Sequence, residues 1–232
     1  MEQRYAARTW IKICGLTREE DVEVAVGAGA DAVGFVFADS PRRITAERAR
    51  ELVDVARGWA RVRGRRVTAV GVFLGIKPPE VADVVMTSGI EAVQFYGAAP
   101  EFAELRRIIP TLAFACLAGR HGVEPSPFEA LKALTESEAP DAVLYDGSEP
   151  GAGVTYDWSA VAGHLAVVPV VLAGGLGPSN VGEAVQRVRP WGVDVSSGVE
   201  SEPGIKDPFL ITEFIGAVRA AEVAPPPGRC LL

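Results

Sequence analysis

The chain has 232 residues, enough for one large domain or two small ones, and 48% are hydrophobic, so a sizeable core is within reach. A formal net charge of −7 argues against nucleic acid or an anionic membrane as a partner. The three cysteines have no paired spacing, which argues against a disulfide framework or a zinc site and fits a reducing cytoplasm.

No signal peptide opens the chain and no apolar run reaches membrane-spanning length. Short β-branched runs alternate with longer helical patterns. The expected strands are Trp10–Cys14, Ala32–Phe37, Val67–Phe73, Ala92–Phe95, Thr111–Ala115, Ala142–Tyr145, Val167–Leu172 and Val193–Ser196. Between and after them the patterns predict helices over Arg18–Ala28, Ala46–Arg61, Pro79–Thr87, Glu101–Ile108, Phe128–Glu136, Tyr156–Ala162, Ser179–Val188 and Pro208–Ala221. Such alternation calls for a parallel sheet with crossover helices, and eight units favour a single α/β domain of the (β/α)8 TIM-barrel class over residues 1–224. Residues 225–232, rich in proline, read as a frayed tail; the ending Arg-Cys-Leu-Leu is one residue short of a prenylation box. The basic cluster Arg57–Arg66 reads as a solvated surface near a helix C-terminus.

The segments "GADAVGF", "GIEAVQF" and "APDAVLY" each place an acid before Ala-Val at a strand start. They read either as common loop chemistry or as traces of a duplicated two-strand unit.

In such a barrel the active site lies at the C-terminal strand ends, so strand ends carry the functional reading. In the first strand, alternation places Lys12 and Cys14 inside and the two isoleucines outside. Cys14 is either a small core filler or, beside a cation or a helix N-terminus, a thiol tuned towards neutrality that can act as a base. Asp146 ends the sixth strand some ten residues before the next helix, so capping explains it poorly; Asp157 is the better cap. A base and an acid from distant strands suit proton transfer at neighbouring atoms.

Gly174-Gly175 after the seventh strand and Ser197-Gly198 after the eighth form the usual place for a phosphate grip in these barrels. Arg42, in the loop after the second strand, can bind a carboxylate bidentately or stand in solvent beside Glu47. Asp194 can bind a hydroxyl or satisfy a buried network, and Lys206-Asp207 reads as capping and structure.

The motifs "IKICGLT", "GADAVGFVFADSPR", "VGVF", "GAGVTYDW", "LAGGLGPSNV" and "GVDVSSGVE…PGIKD" resemble, in order, those of the phosphoribosylanthranilate isomerases. That resemblance implies a (β/α)8 barrel of tryptophan biosynthesis that performs an Amadori rearrangement on a phosphosugar without metal or organic cofactor, as a monomer or homodimer. It implies Cys14 as general base, Asp146 as general acid, Arg42 on the anthranilate carboxylate, Gln94 and Asp194 on the substrate, and Gly174, Gly175, Ser197 and Gly198 on its phosphate. It further implies a flap at Gly151–Thr155. The chain departs from the family where Tyr96 replaces the histidine of a common Q-L-H-G and where Ala152 stands for Ser or Thr. These departures keep two alternatives open: a paralogue acting on a modified anthranilate and a non-catalytic phosphosugar-binding barrel. A Schiff-base aldolase would need Lys12 at a strand end, and a bifunctional sister isomerase would carry Asp where Cys14 stands.

Overall fold

The computed structural model describes residues 8–222 except 111, 113, 124–125, 148–157, 159–160, 162–163 and 166–167. The expected flap, Asp157, most of the sixth expected helix and the C-terminal tail therefore lie outside the described residues.

Eight parallel strands close into one barrel: β1 (Trp10–Cys14), β2 (Ala32–Val36), β3 (Thr68–Leu74), β4 (Ala92–Tyr96), β5 (Phe114–Arg120), β6 (Ala142–Asp146), β7 (Val170–Leu172) and β8 (Gly192–Val195). The described helices are α1 (Glu19–Ala28), α2 (Ala46–Val62), α3 (Pro78–Ser88), α4 (Ala99–Ile108), α5 (Pro127–Leu131), α6 (Val181–Val188) and α7 (Pro208–Ala221). A two-stranded ribbon, β9 (Glu200–Glu202) with β10 (Ile205–Lys206), rises from the loop after β8. No helix among the described residues is long and apolar enough to cross a membrane.

Strand alternation sorts the two faces. Ile11, Ile13, Val33, Phe35, Val93 and Phe95 are buried in the layer between strands and helices, together with Leu52, Phe102 and Phe214 from the helices. Residues one step away fill the barrel itself. Its floor is aromatic: Trp10 stacks on Trp191 at 5.1 Å between ring centroids, and Phe114 lies 5.8 Å from Trp191. Above the floor, Lys12 is in register with Asp194, and at the mouth stand Cys14, Tyr96 and Asp146. Gly34 makes this interior possible, because a Cβ there would lie 2.8 Å from both Cys14 Sγ and Lys12 Cε.

The acids of the repeated segments work at the opposite rim. Asp31 accepts from the Ile11 amide at 3.0 Å and Asp141 from the Ala115 amide at 2.7 Å, each tying a strand start to its neighbour. This is loop chemistry at the stability face of the barrel. The basic cluster is a solvated surface, as expected: Arg57, Arg61, Arg63 and Arg66 are exposed and Arg65 is half-buried. Arg57 donates to Gly89 O, and Arg65 to Gly29 O and Ala30 O, so both arginines also tie the ends of neighbouring helices.

The larger departures from expectation are three. The fifth strand, expected over Thr111–Ala115, runs over Phe114–Arg120, because β4 and β6 offer backbone partners along its whole length and carry it through Gly119. The fifth helix stops at Leu131 and gives way to a 3-10 turn over Glu136–Glu138. The β9–β10 ribbon has no hydrophobic alternation to announce it.

Candidate active site

A cavity of about 250 Å³ opens at the C-terminal mouth, lined among others by Cys14, Arg42, Gln94, Tyr96, Asp146 and Asp194. A recess of about 40 Å³ adjoins it, lined by Asp146, Gly174, Gly175, Ser196 and Ser197. The barrel thus gathers most of the residues singled out from sequence into two connected spaces.

The interior is organised by one buried cation. Lys12, 1% exposed, donates to Asp194 Oδ2 at 3.0 Å and to Gln94 Oε1 at 2.7 Å. Burial is the largest influence and opposes its charge, but Asp194 and Cys14 together outweigh that penalty and hold the ammonium above its usual range. Removing one partner from such a pair typically costs about 3–5 kcal/mol, because the other is left charged and buried. Among the described residues Asp194 Oδ1 is buried and has no hydrogen-bond partner, which leaves an acceptor beside both spaces.

Asp146 ends β6 with its side chain inward. Oδ1 accepts from the Gly147 amide at 2.8 Å and Oδ2 from the Tyr96 hydroxyl at 2.9 Å. Burial nevertheless dominates and lifts the carboxyl to about 6, with Asp194 pushing the same way. Cys14 is also buried, and that burial pushes its thiol up despite the nearby Lys12 ammonium. The expectation of a thiol tuned towards neutrality by a cation is thus overturned: the cation is present, and desolvation outweighs it. β1 and β6 are separated by β7 and β8 on one side of the ring and by four strands on the other.

Arg42 is anchored rather than solvated, and its partner is Glu200, not Glu47. Its Nε and Nη2 donate to the two oxygens of Glu200 at 2.8 and 2.7 Å, and Lys206 Nζ reaches Glu200 Oε1 at 2.7 Å. These hydrogen bonds and charges keep Glu200 ionised below the usual carboxylate range, against the cost of its burial. Lys206 lines neither space and is 1% exposed, so its role is structural, as expected: it braces Glu200, while Asp207 caps α7, accepting from the Phe209 and Leu210 amides. Arg120, at the end of β5, also lines the large cavity, with its guanidinium 5.9 Å from the Tyr96 ring centroid.

The recess is shaped by glycines. Gly174 has φ 83°, and a Cβ there would run into the Gly147 backbone. Gly198 packs behind the recess, where a Cβ would strike the Leu176 carbonyl; it holds the β7 and β8 loops together and is not among the lining residues. Gly174, Gly175 and Ser197 face the recess.

Reading the sequence missed three contributors. Glu200 stands on an unannounced ribbon, Tyr96 was noted as a departure without a partner, and Arg120 fell beyond the expected end of its strand. "GVESEPGIKD", with three acids and a lysine around a turn, is the one local signal for the first.

The closed ring of eight parallel strands, with a thiol and a carboxyl at strand ends beside a glycine-walled recess, places this chain among the (β/α)8 barrels with a polar cavity at the mouth. Residues 11–217 match the family model described as N-(5'phosphoribosyl)anthranilate (PRA) isomerase. The N-(5'-phosphoribosyl)anthranilate isomerase of Roseiflexus castenholzii is 40% identical over 216 residues, covering 91% of this chain and 98% of that one. That of Leptothrix cholodnii is 42% identical, covering 93% of each. The Thermotoga maritima isomerase structure superimposes with a TM-score of 0.77 at 38% identity, covering 91% of this chain and 99% of that one. Another isomerase structure, solved in complex with reduced 1-(o-carboxyphenylamino)-1-deoxyribulose 5-phosphate, has a TM-score of 0.75 at 36% identity over the same shares. The chain belongs to the phosphoribosylanthranilate isomerase family.

Proposed function

We propose that this chain isomerises N-(5'-phosphoribosyl)anthranilate to 1-(2-carboxyphenylamino)-1-deoxyribulose 5-phosphate, with Asp146 as general acid and Cys14 as general base. The observation that carries the assignment is that these two groups line one cavity, where burial keeps Asp146 protonated to unusually high pH. Asp146 gives its proton to the ribose ring oxygen as the C1–O bond breaks, and the anilino nitrogen lone pair forms the C=N of a Schiff base. The Cys14 thiolate then takes the proton from C2, and the C2–H electrons pass through C1 to nitrogen to give an enolamine. Tautomerisation delivers a proton to C1 and removes one from the C2 hydroxyl, leaving the ketone.

The recess beside Gly174, Gly175 and Ser197 is of a size and place for the phosphate. Arg42 faces the same cavity with Nε and Nη2 turned to Glu200, and we assign its remaining donors to the anthranilate carboxylate. Asp194 Oδ1 suits a sugar hydroxyl. A structural relative was solved with a reduced form of the product in complex, which supports a phosphosugar as occupant.

The test is to add the purified protein to freshly made phosphoribosylanthranilate and follow its fluorescence. Loss of signal at a rate proportional to enzyme supports the assignment. Saturable binding of the substrate with no loss of signal supports the non-catalytic alternative instead.

A further inference from the structure

We propose that Tyr96 is a positioning residue, the last link of a hydrogen-bond chain with one fixed direction, running from Lys12 through Gln94 and Tyr96 to Asp146, which sets the acidity of Asp146. The proposal deepens the reading of Asp146 as the acid and rests on it.

The direction follows from donor chemistry. Lys12 has only donors, so the atom of Gln94 that meets it at 2.7 Å is the amide oxygen. That fixes the amide nitrogen towards Tyr96, where it donates to the hydroxyl oxygen at 3.1 Å. With Gln94 donating to it, the Tyr96 hydroxyl has its own hydrogen free for Asp146 Oδ2, 2.9 Å away. Asp194 holds the other side of Lys12 and so anchors the chain. Burial and the Asp146 carboxylate keep the phenol far above its ordinary range, so it remains a donor. A donor aimed at Oδ2 favours the carboxylate, the form Asp146 takes once its proton has gone to the substrate.

Other charged or titratable groups surround Asp146. Lys12 and Cys14 come from β1, Arg120 from β5 in register with it, and Asp194 from β8. His121 donates its backbone amide to the Asp146 carbonyl. The side-chain donor to the Asp146 carboxyl is the Tyr96 hydroxyl, from β4.

The experiment is a 13C titration of labelled aspartate carboxyls in the intact protein, with Asp146 assigned by difference from Asp146→Asn. It is run beside pH profiles of kcat/KM for wild type, Tyr96→Phe and Gln94→Glu. Tyr96→Phe deletes the final donor in an isosteric side chain. Gln94→Glu leaves Tyr96 in place but removes the donor behind it and offers the phenol a competing acceptor. Both are expected to raise the Asp146 midpoint by roughly one pH unit, and the acid limb of kcat/KM should follow. Because a phosphate monoester also titrates near about 6, the carboxyl signal decides. An unmoved Asp146 midpoint in Tyr96→Phe, or a shift in Tyr96→Phe with none in Gln94→Glu, overturns the relay. Full activity in Asp146→Asn removes the acid assignment itself, and the carboxyl titration still reports whether the relay exists.

Discussion

Glu200 holds Arg42 by two parallel hydrogen bonds of 2.8 and 2.7 Å, joining the loop after β2 to the ribbon after β8. The pair is nearly dry, with side-chain exposures of 13% and 5%. A guanidinium fixed in this way presents its remaining donors to the cavity without first losing rotamer freedom. Arg42→Ala is expected to cost about 2–4 kcal/mol in kcat/KM, the scale of a truncated charged hydrogen-bonded pair. Glu200→Gln keeps the shape but removes the charge, and should raise KM with a smaller loss than Arg42→Ala. Steady-state kinetics check both, and an unchanged kcat/KM in Arg42→Ala returns that arginine to a purely structural role.

The proton carriers make a sharper prediction. Cys14→Ala and Asp146→Asn should each lower the single-turnover rate by at least about a hundredfold, the lower scale for a positioned acid or base. KM should move far less, because the recess proposed for the phosphate is built mostly by the loops after β7 and β8. Single turnovers are the measurement of choice, since slow product release blunts kcat. Folded variants within a few-fold of the wild-type rate would remove the mechanism.

The pH dependence follows from two shifts in the same direction. Burial lifts Asp146 to about 6 and lifts Cys14 above the usual thiol range. Chemistry needs the proton on Asp146 and none on Cys14, the reverse of the order their proton affinities favour. The active species is therefore a minor form of the singly protonated pair. Below about 6 both groups carry protons and no base remains; above the raised Cys14 value neither does and no acid remains. The kcat/KM profile is expected to rise through about 6 and fall only well into the alkaline range. A fall beginning near neutrality contradicts it.

Asp146 also has a stability signature. Between its ordinary value of 3.8 and about 6, the folded protein binds a proton that the unfolded chain releases. Its contribution to stability therefore declines as pH rises through that window and stays lost above it. Asp146→Asn is expected to stabilise the fold at pH 7 by about 1–3 kcal/mol while abolishing turnover, with little gain near pH 3. Urea melts at the two pH values check the sign. A loss of stability at pH 7 would show that the hydrogen bonds from Tyr96 and Gly147 outweigh burial.

At Gly198 the test is steric. Gly198→Ala drives a methyl group into the Leu176 carbonyl and forces the β7 and β8 loops apart. The cost in stability should be about 1–3 kcal/mol, and inorganic phosphate should become a weaker competitive inhibitor. Unchanged inhibition by phosphate would separate this glycine from the recess.

What could be read from sequence divides along the range of the interactions. Alternation in W-I-K-I-C is local, and it placed Lys12 and Cys14 inside the barrel and the isoleucines outside, as observed. β6 obeys the same rule, with Ala142 and Leu144 in one buried cluster and Val143 and Tyr145 in another. The end of β5 was lost because Ala118-Gly119-Arg120 has no strand signature of its own and is held by two neighbouring strands. The partners of Arg42 and Tyr96 were out of reach for a related reason. Glu200 is 158 positions from Arg42, and Asp146 is 50 from Tyr96, separations that no local pattern encodes. The balance of forces on Cys14 was hidden too, since a nearby cation can be guessed from Lys12 whereas the depth of burial cannot.

The aromatic floor has a consequence for how this chain assembles. Trp10 belongs to the first strand and Trp191 leads into the eighth, and their rings stack at 5.1 Å with an interplanar angle of 26°. Two indoles so close couple as chromophores, and they meet only when the first and last strands of the ring have joined. A near-ultraviolet circular dichroism band from this rigidly packed pair is thus expected to mark ring closure, the step that bears the largest loop entropy in the chain. Helix formation followed in the far ultraviolet should run ahead of it.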